Sequence, residues 1–153
     1  MVYRNLLIPI DFSEHSKKTI DYATQLADLA GASMKILHVL KLPEYPAAFY
    51  QGLYIEHDQI KTYLETGKAE ATAQLSLITD PILAKGLQVE TVLRVGNPSE
   101  EIVNVAKELA VDLVVIGSHG YGGLGRFLLG STAERVVQYV HCPVLVVKGV
   151  PES

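Results

Sequence analysis

Residues 113–116, Leu-Val-Val-Ile, form an apolar run too short for a helix, and it breaks into a loop carrying Gly117, Gly120, Gly122, Gly123, Gly125 and Gly130. A run of that length bounded by turn residues reads as a strand buried on both faces. The loop empties into Ser131-Thr132-Ala133-Glu134, whose Ser-x-x-Glu spacing is that of a capping box opening a helix. Strand, glycine loop and helix start together make a place for an anion, because bare backbone N–H groups meet the positive end of a helix dipole there. The unit predicts a phosphate cradle.

Two better-known cradles do not fit. A Walker loop needs a lysine directly after its last glycine, and no lysine stands among these glycines. The dinucleotide pattern G-x-G-x-x-G occurs at Gly120-Tyr-Gly122-Gly-Leu-Gly125, but Phe127-Leu128-Leu129 separates it from the helix start. The acid that pattern requires about 20 residues on is also missing, since the chain there reads Val144-Leu-Val-Val.

The rest of the chain supplies the fold. Apolar strand runs are expected at 6–10, 34–40, 88–95, 113–116 and 144–147, each apolar throughout. Helical patterns alternate with them: from the loop at Asp11 to about Ala30, ended by Gly31; from about Glu56 to Lys85, with a break at Asp80-Pro81; from Asn97, a capping residue followed by Pro98; and from Ser131, burying Ala133, Val136, Val137 and Val140. Such alternation means one α/β domain over 1–153, an open five-stranded parallel sheet with helices on both faces. Right-handed crossovers with a single reversal of direction give the strand order 3-2-1-4-5.

The composition narrows the function classes. A net charge of −4 with no basic block argues against a nucleic-acid partner, so a nucleotide would be held by backbone N–H groups. No apolar run reaches the length of a membrane span, and Met1-Val-Tyr-Arg-Asn lacks the apolar stretch of a signal peptide, so a cytoplasmic protein without membrane insertion is expected. The single cysteine, Cys142, reads as a small packed residue, with a redox role as the alternative.

In open sheets of this type ligands sit beyond the carboxyl ends of the strands at the switch point. Two loops leave there, at 9–13 and 117–130. Asp11, just past the first strand, would accept from ribose hydroxyls or hold a magnesium ion; alternatively it caps the next helix, with Glu14 three residues on. His38 is either a satisfied strand histidine or a ligand contact. His119 and Arg126 either touch phosphate or are solvated. Residues 41–54, rich in aromatics, would form a lid, an oligomer contact or a layer on the long helix.

The spacing Gly117-x2-Gly120-x9-Gly130-Ser131 resembles the G-x2-G-x9-G-[ST] pattern of universal stress proteins of the ATP-binding subgroup. The likeness extends to Leu7-Ile-Pro-Ile-Asp11-Phe-Ser13, to His38-Val39, to Leu128-Leu-Gly-Ser-Thr and to His141-Cys-Pro-Val-Leu-Val-Val. It implies a Rossmann-like fold of the adenine nucleotide alpha hydrolase type that binds ATP, ADP or AMP, with or without Mg2+. The candidate contacts are Pro9, Ile10, Asp11, Ser13, His38, Val39, Gly117, Ser118, His119, Gly120, Gly130, Ser131 and Thr132. In the family the main chain at Val39 reads the adenine edge. The resemblance also implies a homodimer through the last strand, at 143–148, where an apolar edge would otherwise stand open, and an unidentified protein client.

No residue set points to catalysis beyond slow ATP hydrolysis. Related enzymes of this sheet order hold pyrophosphate with S-G-G-x-D-S, whereas the first loop here is Asp11-Phe-Ser-Glu-His-Ser16, without glycine. A nucleotide-dependent regulator of the stress response is therefore the leading expectation. The alternatives are an ATP-hydrolysing enzyme of the same fold and a nucleotide-free adaptor.

Overall fold

The computed structural model describes residues 3–42, 57–118 and 129–149. Within them lie strands β1 (Asn5–Ile10), β2 (Ser33–Leu40), β3 (Val89–Val95), β4 (Leu113–Gly117) and β5 (Val144–Val147). Helices α1 (Glu14–Ala30), α2 (His57–Ala84), α3 (Pro98–Glu108) and α4 (Ser131–Tyr139) alternate with them. All four strand pairings are parallel, and the order is β3-β2-β1-β4-β5, as the sequence pattern predicts.

Side chains alternate across the sheet and build two cores. Leu6, Ile8, Met34, Ile36, Leu113 and Val115 face one layer with Ile20, Ala23 and Ala27 of α1 and Leu75 and Ile82 of α2. Leu7, Leu37, Val39, Val114 and Ile116 face the other, with Ile102, Val105 and Ala106 of α3 and Ala133 and Val136 of α4. β1 is central, covered on both sides, and for that reason nearly every residue in it is buried.

Four details depart from the sequence expectations. β3 is not apolar throughout: it is an edge strand, and its Glu90 pairs with Lys35 at 2.8 Å while Arg94 pairs with Glu108 at 2.7 Å. α2 runs through Pro81 without the expected break. Its buried residues Ala71, Leu75 and Ile82 stand on both sides of the proline, so packing on the first core holds the helix together where propensity would end it. Val137 is 44% exposed, because α4 meets the core through Ala133 and Val136. The fourth departure, at the start of α4, bears on the site and is treated there.

Other signals hold. α1 ends at Gly31 in the left-handed conformation (φ 66°), which costs glycine little. Asn97 caps α3, its side chain accepting from the Glu100 N–H, with Pro98 in the first turn. Cys142 packs on the second core; burial, reinforced by Asp112, pushes its thiol up, as fits a packing residue. Among the described residues no helix is long and apolar enough to cross a membrane.

At the amino ends of the strands Asp112 clamps β1 to the entry of β4. Its carboxylate accepts from the N–H of Arg4 at 2.9 Å and of Asn5 at 3.1 Å, while its own N–H donates to the Asn5 carbonyl at 3.0 Å. Asp112→Ala removes two charge-assisted bonds and should lower stability by about 1.5–3 kcal/mol. In urea unfolding this appears as a lower midpoint at unchanged slope; an unaltered midpoint would mean that the clamp contributes nothing.

Candidate functional site

The carboxyl ends of β1, β2 and β4 open into one cleft of about 730 Å³, within the range of small-molecule sites. Of the residues expected there, Pro9, Ile10, Asp11, His38, Val39, Gly117, Ser118, Gly130, Ser131 and Thr132 line it. Ser13 is absent from the lining residues, and His119, Gly120 and Arg126, like most of the aromatic segment 41–54, lie outside the described residues. The cleft is also lined by His15, Ser16, Thr19, Leu40, Lys41, Tyr63, Pro98, Ile102 and Leu129, none of which is among the contacts expected from the sequence.

The β1–α1 loop is held by Asp11. Its Oδ1 accepts from the Ser13 N–H at 3.0 Å and from the Ser16 hydroxyl at 2.8 Å, and the Asp11 N–H donates to the same hydroxyl at 3.1 Å. Ser13, not Asp11, is the cap of α1, its side chain accepting from the Ser16 N–H. Between them Phe12 stands at φ 64°, a conformation that costs a non-glycine residue about 1–3 kcal/mol. Packing on the first core and a ring contact with His38, centroids 4.3 Å apart, hold it there.

His38 itself is tied to the sheet. Its Nδ1 lies 3.0 Å from the Ile10 carbonyl, and since that oxygen only accepts, Nδ1 carries the proton. The histidine lines the cleft with one nitrogen already bonded to main chain.

At the third wall the start of α4 departs from expectation. Gly130 is the N-cap, in an extended conformation (φ −61°, ψ 159°), and among the described residues no side-chain cap bonds the first turn. Ser131 is thus the first helical residue rather than the head of a capping box. The register is set by backbone: the Gly130 N–H donates to the Ser118 carbonyl at 2.7 Å, and the Glu134 N–H closes the first turn on Gly130 at 2.9 Å. The starts of α1 and α3 have side-chain caps, whereas α4, whose first residues line the cleft, has none among the described residues. The first amides of a helix have no partner within the helix, and here Gly130, Ser131 and Thr132, which carry or adjoin them, line the cleft.

Gly117, which lines the cleft, also has a packing reason to be glycine. A methyl group at its Cα would come within 2.5 Å of the His15 ring carbon Cδ2 and 2.8 Å of Nε2. The glycine accommodates His15, and close approach to a phosphate is not needed to explain it. Ser118 is 5% exposed and serves the main chain: its Oγ accepts from the Gly149 N–H at 3.2 Å, and its N–H donates to the Val147 carbonyl at 2.9 Å.

The cleft is therefore two-ended. On the β2 side Leu37, Val39, Leu40, Pro98 and Ile102 give a mainly apolar end, with Lys41 and Tyr63 at its edge. On the β4 side Gly130, Ser131 and Thr132 give an end of backbone and hydroxyl groups, and the Asp11 loop leaves β1, which lies between those strands.

Comparison with known proteins agrees with this fold. The model of the universal stress protein family matches residues 2–148. Universal stress protein YxiE of Bacillus subtilis is 35% identical over 148 residues, covering 96% of this chain and all of the relative. Among solved structures, that of protein MJ0577 superposes with a TM-score of 0.84 at 28% identity, over 99% of this chain and 100% of the other; MJ0577 comes from Methanocaldococcus jannaschii. A universal stress protein in complex with cAMP superposes with a TM-score of 0.68 at 26% identity, over 97% and 98% of the two chains.

The fit of Gly117 to His15 is testable by a double-mutant cycle. Gly117→Ala should destabilise by about 1–3 kcal/mol, the usual cost of overpacking, and that cost should largely vanish in a His15→Ala background. An equal cost in both backgrounds would assign the glycine to something else.

Proposed function

The chain belongs to the universal stress protein family, and on that footing we propose that it binds an adenine nucleotide and acts as a nucleotide-dependent regulator in the stress response. The observation that carries the reading is the start of α4, which has no side-chain cap and opens into a cleft with an apolar far end. A nucleotide has the matching polarity: its base suits the space between Val39, Leu40, Pro98 and Ile102, and its phosphates suit the amides and hydroxyls of Gly130, Ser131 and Thr132. The ribose then falls at Asp11. ATP is the proposed ligand, with ADP and AMP engaging the same donors to a lesser extent. The cAMP complex of a similar protein supports an adenine nucleotide in this fold.

Asp11 is the single carboxylate among the described lining residues. Magnesium takes one or two carboxylates together with phosphate oxygens, so Asp11 is where a metal carried in by the nucleotide would be held. Phosphoryl transfer asks for a positioned base or water and a charge stabiliser besides the metal, so the proposal is of binding, with slow hydrolysis at most.

Calorimetric titration with ATP and GTP tests the reading, and ATP should bind more tightly. Asp11→Asn keeps an oxygen for Ser13 and Ser16 but loses the charge. It should weaken ATP about ten- to a hundred-fold, the worth of a charge-assisted bond, while leaving adenine binding little changed. Equal affinity for the two nucleotides, or none for either, contradicts the proposal.

The proposal includes a homodimer. β5 is the outer strand beside β4 and carries no charge, unlike β3 at the other edge. Leu145 is 42% exposed on it, whereas Val146 packs on the second core, so Leu145 is the residue to test. Two copies meeting along β5 would satisfy each other's backbone groups. Light scattering should give a dimer for the wild type and a monomer for Leu145→Lys; a wild-type monomer at micromolar concentration contradicts this part.

A further inference from the structure

His15 sits where three elements meet: it projects from α1, lines the cleft, and lies against Gly117 at the end of β4. Its Nε2 is 3.0 Å from the carbonyl of Val147, the last residue of β5. A carbonyl oxygen only accepts, so Nε2 carries the proton and donates. The same carbonyl takes the Ser118 N–H at 2.9 Å. Ser118 in turn receives the Gly149 N–H on its Oγ at 3.2 Å and the Gly130 N–H on its carbonyl at 2.7 Å. One helical turn beyond His15, Lys18 Nζ donates to the Lys148 carbonyl at 3.0 Å.

The contacts form a continuous path. α1 grips the outgoing end of β5 at two successive carbonyls, through His15 and Lys18. Through Ser118 that end is bonded to Gly130, the N-cap of α4, whose first residues line the cleft. We infer that His15 is a positioning residue for the anion cradle, acting through Val147, Ser118 and Gly130, and that it couples the cradle to the edge strand β5. The functional part rests on the nucleotide reading above; the positional part stands on these bonds alone. Occupancy of the cradle and ordering of residues 147–149 then favour each other, since coupling between two sites is reciprocal.

Amide-resolved hydrogen exchange on the full ligand-free chain tests the positional part. His15→Ala should speed exchange at Ser118, Gly130 and Gly149 about ten-fold, the scale of one lost hydrogen bond. The amides of Leu7 and Leu37 in the central strands should keep their rates. His15→Gln, whose amide reaches the same carbonyl with a donor, should restore protection. Adding ADP to the wild type should slow exchange at Gly149, and ADP should bind His15→Ala about ten-fold more weakly, in step with the lost protection.

An unchanged Gly130 rate in His15→Ala overturns the inference, and so does acceleration spread evenly over the central strands, which would mean general destabilisation. If the cradle amides loosen selectively while the wild type takes no ADP, the nucleotide reading falls and the coupling of His15 to the cradle stands.

Discussion

A helix cannot bond its own first amides, and what satisfies them decides what its amino end does. In this protein Ser13 answers that need for α1 and Asn97 for α3. For α4 the N-cap is a glycine, and among the described residues no side chain reaches the first turn. Parallel strand order places that end beside the carboxyl ends of β1 and β2, so the start of α4 and the apolar wall of the cleft belong to one space. The candidate site is a consequence of sheet topology combined with a glycine at the cap of α4.

The loop at Asp11 shows how a functional position is held against its own local preferences. Phe12 occupies a conformation that suits glycine, and the strain is offset by the Asp11 bonds on either side and by the packing of its ring. Asp11 therefore has a structural duty whether or not it meets a ribose, and only a substitution that keeps its oxygen isolates the role of its charge.

Much of this was legible in the sequence because the relevant signals are periodic or local. Apolar runs separated by helical patterns fixed the strand order, and Asn97-Pro98 and Gly31 marked helix ends by chemistry that acts within a few residues. The glycine spacing located two walls of the cleft, at Gly117 and Gly130. What escaped was decided at a distance. Pro81 is tolerated because residues on both sides of it are buried in the core. Ser131 is not the cap because a backbone bond from Gly130 to Ser118 sets the helix register. The packing of Gly117 against His15 was not legible either, because His15 stands more than a hundred residues earlier in the chain and no spacing rule connects them. Tyr63 and Pro98 join the cleft only once α2 and α3 are docked on the sheet.

The central claim is that the amides opening α4 hold the phosphates of a nucleotide. Backbone NMR of the isotope-labelled protein titrated with ADP and, separately, with adenosine tests it most directly. The account predicts large shifts of the Ser131, Thr132 and Ala133 amides with ADP but not with adenosine, while residues around Val39 and Ile102 respond to both. Shifts of those three amides that are equal for the two ligands, or absent with ADP, would contradict it.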